Sequence, residues 1–166
     1  MKNQKNSLGK IIITILTFVI IILIIIVSYN FYVKKTQEVN SNEKLKACID
    51  EKCFFVETAD TYYKRIKGLM NREFLDEDKG MLFIFPNEDT WGFWMKDTLI
   101  PLDIIWADEN MKITDIKEDL TPCKENPCQI YSPEAKAKYA LEINSGLVNK
   151  LNITNSSKFK LNFFPS

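Results

Sequence analysis

The chain has 166 residues, its 22 basic and 22 acidic side chains cancel, and it contains no histidine. Without an imidazole it cannot form a Ser–His–Asp or Cys–His catalytic site, or a zinc site with histidine ligands. Because Lys2, Lys5 and Lys10 lie at the N-terminus, the rest of the chain is net negative, which argues against nucleic acid as a partner.

The first predicted element is an apolar helix near the N-terminus. No charged residue occurs from Ile11 to Val27, and apolar residues continue unevenly to Val33. A helix over residues 11–33 would span about 34 Å at a rise of about 1.5 Å per residue, which is enough for a bilayer core. A cleaved signal peptide has a shorter apolar run and small residues after it. We therefore predict a single-pass signal anchor, so that the membrane is a partner through this segment.

The charges on either side of the anchor predict its orientation. The lysines before it have no acidic residue among them, whereas residues of both signs follow it. The positive-inside rule then places the N-terminus in the cytoplasm and the remaining domain on the extracytoplasmic side of the cell membrane. The predicted organisation is a cytoplasmic N-terminus (residues 1–10), the anchor (11–33), a polar tether (34–47) and a β-rich domain (48–166).

Four cysteines form two pairs of equal spacing: CIDEKC from Cys48 to Cys53, and CKENPC from Cys123 to Cys128. Such a set could bind a tetrahedral zinc ion, but an extracytoplasmic location permits disulfides, and we predict disulfides, no metal and no other cofactor. Four cysteines allow three pairings. Loop entropy alone favours long cross-links, whereas the two prolines at the second pair favour a local bridge. We predict the local pairs Cys48–Cys53 and Cys123–Cys128.

The rest of the chain predicts short strands and few helices. Strands are indicated by apolar runs or alternation at residues 53–59, 80–85, 90–96, 102–108, 111–119, 139–144 and 158–164. A short helix over residues 62–67 can be capped by Asp60 or Thr61 and ended by Gly68, and Ser145 can cap a further helical turn. Parallel winding would require longer helices between the strands. The predicted fold class is mainly β: a compact single domain, sandwich-like or barrel-like, with one or two short helices.

Four motifs in this domain follow one another in a characteristic order: RIKGLMNREFL, KGMLFIFP, FWMKDTLIPLDIIWADEN and YALEINSG. Through them, the chain resembles the domain of unknown function 192 family of small prokaryotic proteins, over about residues 53–164. The resemblance implies a compact β-sandwich-like domain, which some members carry behind an N-terminal signal or anchor, and it implies no particular reaction. Asp97 departs from the family pattern, which more often has Asn there, and ITNSSKF replaces the family's usual Gly-Asp turn.

The segment GFWMKDTLIPLDIIW is strongly apolar but contains Lys96, Asp97 and Asp103. A buried charge destabilises a protein unless it has a partner. In a structural interpretation, Asp103 pairs with Lys96, Arg65 or Arg72, or accepts hydrogen bonds from backbone amides in the neighbouring proline turn. This interpretation predicts a buried network with no direct functional role.

In a functional interpretation, Lys96, Asp97, Asp103 and Glu142 converge beside Trp94 in a shallow pocket. Trp94 would stack on a planar group of a ligand, and the charged side chains would orient that ligand. The candidate ligand-binding residues are Arg65, Arg72, Trp94, Lys96, Asp97, Asp103 and Glu142. We assign a catalytic role to none of them.

These observations favour a monomeric, membrane-anchored extracytoplasmic domain that binds a small ligand or an envelope partner, and they favour binding over catalysis. The alternative is a hydrolase of cell-surface glycans. Such an enzyme needs two carboxyl groups across an open groove, for which Asp97, Asp103 and Glu142 are the candidates. A third hypothesis is a structural adaptor without a pocket. The presence of an open cleft distinguishes the first two hypotheses from the third.

Overall fold

The computed structural model of the chain describes residues 15–31 and 43–165. The chain divides into two compact units, Met1–Glu43 and Lys44–Ser166, which are described separately. In the first unit, residues 15–31 form helix α1, whose side chains are mostly apolar and exposed. None of the helices within the described ranges combines the length and the apolar character needed to cross a membrane. The described helix therefore lends no support to the predicted anchor over residues 11–33, whose two ends lie outside the described residues.

The second unit is built from short strands with two short helices. The strands are β1 (Glu43–Ile49), β2 (Lys52–Ala59), β3 (Lys79–Asp89), β4 (Phe93–Trp94), β5 (Leu102–Ala107), β6 (Ile113–Leu120), β7 (Ile130–Tyr131), β8 (Ala137–Asn144) and β9 (Phe159–Pro165). The helices are α2 (Tyr62–Lys67) and α3 (Leu147–Lys150). A mainly β domain with few short helices is thus confirmed. The tether prediction is wrong at its end, because residues 43–47 belong to β1, which forms a hairpin with β2.

Seven strands form one curled sheet in the order β6-β5-β8-β3-β2-β1-β9, while β4 and β7 form a separate two-stranded sheet. Strand β5 pairs antiparallel with both β6 and β8, and β8 pairs antiparallel with β3. Strands β2 and β3 are parallel, and α2 lies in the connection between them. The expectation that parallel pairing would need a long helix is therefore wrong for this one pair, since a helix of 6 residues and a loop suffice.

Hydrophobic side chains cover both faces of the main sheet. On one face, here called the α3 face, Ile105 and Leu141 pack with side chains from α3. On the other, here called the aromatic face, Ile104 and Trp106 pack among phenylalanines from β3 and β4. All residues of β5 are buried because this central strand is covered on both sides. The alternation of β5 side chains therefore decides which face each residue reaches.

Both cysteine pairs are joined as predicted. Cys48 and Cys53 form a disulfide between directly opposed positions of the β1–β2 hairpin. Cys123 and Cys128 form the second disulfide, in the connection between β6 and β7. This second bridge closes the loop that leads into β7, and β7 pairs with β4. It therefore restrains a segment that borders the candidate site described below.

Candidate functional site

An open cleft with a volume of about 540 Å³ lies on the aromatic face, between α2, β3 and the two-stranded sheet. Most of its wall is aromatic. The aromatic residues that line it are Tyr62, Phe83, Phe85, Trp91, Phe93 and Trp94. Trp94 is 44% exposed although it is large and apolar. The cleft therefore presents a preformed, mostly apolar surface to solvent, as small-molecule sites do.

Ring contacts and hydrogen bonds fix the wall of the cleft. The rings of Phe85 and Trp91 stack with their centroids 4.7 Å apart. Phe93 meets Phe83 edge-on, with centroids 4.8 Å apart, and it meets Trp106 in the same way at 5.5 Å. The Trp106 indole N–H donates to the Trp91 carbonyl oxygen at 3.2 Å. Because Phe83, Phe85, Trp91 and Phe93 contact one another, this part of the wall is formed before any ligand arrives.

The approach of β7 to β4 depends on Gly92. A Cβ atom at this position would lie 2.7 Å from the Ile130 side chain and 2.9 Å from the Ser132 hydroxyl oxygen. Glycine therefore lets the two short strands pair through Phe93 and Trp94. Their pairing places Ile130 at the rim of the cleft, opposite α2.

Arg65 contributes a positive charge to the cleft wall. It lies on α2, whose first turn is capped by the Thr61 hydroxyl, which accepts a hydrogen bond from the Lys64 amide. The Arg65 Nη1 donates to the carbonyl oxygens of Asp60 at 2.8 Å and Ile84 at 2.9 Å. Its guanidinium carbon lies 5.7 Å from the centroid of the Phe85 ring. The guanidinium is thus fixed against the aromatic wall.

A smaller hollow of about 30 Å³ adjoins the cleft. The cleft and the hollow share Arg65, Ile66, Phe83, Phe93 and Trp94 as lining residues. Glu142 lines the hollow from β8, where it is opposite Met81 on β3 and Ile104 on β5. A space of this size can hold about one water molecule or a small ligand group.

The Glu142 carboxyl is buried, and within the described ranges no hydrogen bond offsets the cost of its burial. The residue is only 5% exposed, and its Oε2 has no hydrogen-bond partner among the described residues. Burial raises the pKa of Glu142 to about 8, so the carboxyl is mostly protonated at neutral pH. A buried polar atom that lacks a partner calls for a specific explanation. Because this atom belongs to a hollow beside an open cleft, a ligand group is a direct explanation.

Gly68 keeps this hollow open. It ends α2 with a φ of 45°, a conformation that favours glycine. A Cβ atom at this position would lie 3.3 Å from the Phe83 ring and 3.9 Å from Glu142 Oε2. Any other residue here would strain the backbone and reduce the space above the carboxyl.

Asp103 does not belong to this site. It shares the α3 face with Ile105, and it is 0% exposed. Its Oδ1 accepts from the Asp119 amide and its Oδ2 from the Val148 amide, both at 2.9 Å. In the described part of the chain, no ion pair joins it to a basic side chain. The predicted pairing with a lysine or arginine is therefore wrong; the amide-binding alternative is right in kind, with amides of β6 and α3 replacing those of the proline turn.

The remaining predicted site residues lie around the cleft or away from it. The Lys96 Nζ is 5.4 Å from the centroid of the Trp94 ring, at the outer rim. Asp97 is exposed at a φ of 54°, a region that Asn and Asp tolerate. Arg72 forms two hydrogen bonds with the Glu57 carboxylate, at 2.6 and 2.8 Å. Of the predicted cluster, the structure brings together Arg65, Trp94 and Glu142, with Lys96 nearby, and it does not bring Arg72, Asp97 or Asp103 to the cleft.

Several cleft residues were not identified from the sequence. The sequence predicts strands for both Phe85 and Trp91, but the stacking of Trp91, which follows β3, on Phe85 within β3 carries no local signature. Tyr62 and Ile130 lie in exposed polar segments. The one local signal in the sequence is WGFW, which has large apolar residues on both faces of a short strand. Both faces can be buried only if a second layer covers the strand, so this motif indicates either such a layer or an exposed apolar surface.

Comparison with known proteins places this domain among uncharacterised relatives. Residues 45–161 match the model of the DUF192 family, described as an uncharacterised ACR. The chain is similar to the UPF0127 protein PH1112 of Pyrococcus horikoshii, with 32% identity over 110 residues, which cover 63% of this chain and 85% of that protein.

A second relative, the UPF0127 protein of Thermococcus sibiricus, is 30% identical over 99 residues. That match spans 59% of the relative's length and 58% of this chain. The fold is similar to the crystal structure of a protein of unknown function from Novosphingobium aromaticivorans, with a TM-score of 0.63 and 30% identity over 70% of this chain and 83% of that one.

Proposed function

Because this chain belongs to the DUF192 family, whose description names no activity, we propose a function from the site itself. The domain binds a small ligand that has a flat apolar body, and the body lies in the aromatic cleft. The observation that carries this proposal is the buried, partnerless carboxyl of Glu142 beside an open cleft lined by aromatic rings.

Physical chemistry supports binding at this place. An unpaired buried carboxyl destabilises an isolated domain, and an exposed apolar surface often marks a binding site. A ligand that fills the cleft would cover Trp94 and give Glu142 a hydrogen-bond partner, which would offset the cost of its burial. The volume of about 540 Å³ lies in the range of small-molecule sites, which is about 300–1,000 Å³. A purely structural adaptor gives no reason for either feature.

The glycan hydrolase hypothesis has no support. It requires two carboxyl groups that face one groove, about 5–9 Å apart. Asp103 lies on the opposite face of the sheet, with both oxygens bound to amides, and Asp97 is exposed in a turn. Glu142 is therefore the one acidic side chain among the described residues that line the cleft and the hollow.

We also propose that the domain acts as an extracytoplasmic monomer, anchored through residues 11–33. The support is the uncharged run from Ile11 to Val27 and the lysines before it. Two disulfides are consistent with an oxidising compartment.

We expect the protein to resist alkaline carbonate extraction from membranes and its domain to be digested by protease added to spheroplasts. Protection of the domain from protease in intact spheroplasts would contradict this location.

Replacing Trp94 by alanine is expected to weaken binding of indole, a flat apolar probe, by about three- to tenfold. The reason is that an aromatic pair contributes about 0.5–1.5 kcal/mol beyond its buried area. Isothermal titration calorimetry of both proteins would measure the difference in Kd. Phe163→Ala is the matched control, since Phe163 is 65% exposed and lies on β9, outside the cleft. An equal effect of the two substitutions, or no binding of indole to the parent protein, would contradict the proposed site.

A further inference from the structure

We propose that the natural ligand is a small organic acid. Its carboxylate is held between the Glu142 carboxyl, which donates a hydrogen bond, and the Arg65 guanidinium, while its apolar body lies in the aromatic cleft. This inference rests on the proposed ligand site and specifies the chemical class of the ligand.

The charges around the hollow favour an anion. Among the described residues that line the cleft and the hollow, the basic ones are Arg65 and Lys67, and Glu142 is the one acid. Because the pKa of Glu142 is raised to about 8, this acid is neutral at pH 7 and carries a proton that it can donate. The lining is thus positive overall at neutral pH.

Among the described residues that line the hollow, no ionised acid faces Glu142. From β3 and β5 it meets Met81 and Ile104, which are apolar. From the turn after β4, Thr98 lines the hollow, and the Lys96 ammonium lies over the Trp94 ring. From α2 and the residue that follows it come Arg65, Lys67 and Gly68. On β8 itself, the Lys138 ammonium donates to the Pro86 carbonyl oxygen.

The available hydrogen bonds also favour a carboxylate. Arg65 uses Nη1 for the Asp60 and Ile84 carbonyls, and its Nη2 and Nε make no hydrogen bond within the described part of the chain. A guanidinium with unused N–H groups matches a carboxylate. A protonated carboxyl donates a short, strong hydrogen bond to an anionic oxygen, and enzymes keep such groups neutral for this purpose.

The sizes of the two spaces indicate which end of the ligand lies in each of them. The hollow of about 30 Å³ admits a small polar group and excludes a ring. The adjoining cleft of about 540 Å³ is lined by rings that can stack on a flat body. A cationic ligand is disfavoured for two reasons. An ammonium group in the hollow would pair well only with ionised Glu142, and the positive charge of Arg65 would repel it.

The test uses three ligands that share an indole body and differ in their end group: indole-acetate, indole-acetamide and tryptamine. Each is titrated calorimetrically into the full chain in detergent. At neutral pH we expect indole-acetate to bind at least about tenfold more tightly than tryptamine, with indole-acetamide between them. About one pH unit above the pKa of Glu142, the affinity of the parent protein for indole-acetate should fall about tenfold, because the protonated fraction falls by that factor.

Glu142→Gln is the matched variant, because its amide is neutral at all pH values and keeps an N–H donor. Its affinity for indole-acetate should not change over the same pH range. If indole-acetamide or tryptamine binds as tightly as indole-acetate, or if Glu142→Gln shows the same pH dependence as the parent, the acid class is wrong while the proposed cleft stands. If none of the three ligands binds, the proposed function fails as well.

Discussion

Replacing Glu142 by glutamine is expected to stabilise the folded protein by about 3 kcal/mol at pH 7, although it changes a buried side chain of the candidate site. Burial raises the pKa of Glu142 from its ordinary value of 4.5 to about 8. The unfolded chain releases this proton near the ordinary pKa, whereas the folded chain retains it until about pH 8. Each pH unit between the two pKa values therefore destabilises the folded state by about 1.4 kcal/mol.

The sign of this effect is opposite to that of an ordinary surface carboxylate. Below the ordinary pKa both states are protonated, and Glu142 carries no pH-dependent penalty. As the pH rises to about 8, the penalty grows, and above about 8 it stays constant. Glutamine has nearly the same shape and no proton to release, so the variant lacks this loss of stability.

Urea unfolding of both proteins at about pH 5 and about pH 8 would measure the difference in free energy of unfolding. Glu57→Gln is the control, because the hydrogen bonds from Arg72 lower the pKa of the exposed Glu57. That carboxylate contributes stability above its ordinary pKa and loses it as the pH falls. If Glu142→Gln and the parent protein showed the same change between the two pH values, Glu142 would not be a buried, partnerless acid.

Replacing Asp103 by leucine is expected to lower the free energy of unfolding by about 4 kcal/mol. The carboxylate is fully buried and accepts one hydrogen bond from Asp119 in β6 and one from Val148 in α3. Leucine leaves both amides without an acceptor, and each unsatisfied buried group costs about 1–3 kcal/mol. Without this carboxylate, α3 also loses its hydrogen bond to the sheet face on which it packs.

Equilibrium urea unfolding of single and double variants distinguishes this arrangement from an ion pair. Lys96→Met should change stability by less than about 1 kcal/mol, since Lys96 contacts the Trp94 ring at the surface. Combined with Asp103→Leu, its effect should be additive. Asp103→Asn keeps one acceptor, so it should lower the free energy of unfolding by about half as much as Asp103→Leu. Recovery of stability in the Lys96→Met, Asp103→Leu double variant would mean that the two side chains form a buried pair after all.

The sequence predicts those parts of the fold in which each strand carries its own pattern. The apolar run of β5 and the pattern of YALEIN predict strands, and the prolines at the second cysteine pair favour a local bridge, as the structure shows. EKLKACI begins as a polar segment, so the sequence predicts its first five residues as tether; it becomes strand β1 through its pairing with β2 and β9. The local sequence of such a segment does not indicate that it pairs with strands distant along the chain.

The candidate site was predicted in part because alternation tells which residues share a face but not which face meets which neighbour. In YALEIN, Glu142 lies on the face opposite Leu141 and Ile143. In LDIIW, Asp103 lies with Ile105. Nothing local indicates that the first of these acids faces the aromatic cleft and the second faces α3, because that depends on the strand order β5-β8-β3. The predicted convergence of Asp103 and Glu142 in one cluster is therefore wrong.

The same limit applies to β4. The segment TWGFWMK predicts a strand of about seven residues, whereas β4 contains Phe93 and Trp94 alone. Its partner β7 is equally short and follows a disulfide-closed loop. Trp91, which precedes β4, lines the wall of the cleft together with Phe93 and Trp94 of β4 itself. Trp94 is 44% exposed although it is large and apolar, and this exposure points to the cleft beside Glu142.

The most direct test of the ligand site is the NMR signal of the Glu142 side-chain carboxyl carbon, assigned by comparison with Glu142→Gln. In the free protein we expect this carbon to titrate with a pKa of about 8. Addition of indole-acetate at neutral pH should shift its resonance in a saturable manner and raise its pKa further, because the bound carboxylate stabilises the protonated form. A titration near the ordinary value of 4.5, with a resonance that no indole ligand shifts, would contradict the assignment of Glu142 to a ligand-binding cleft.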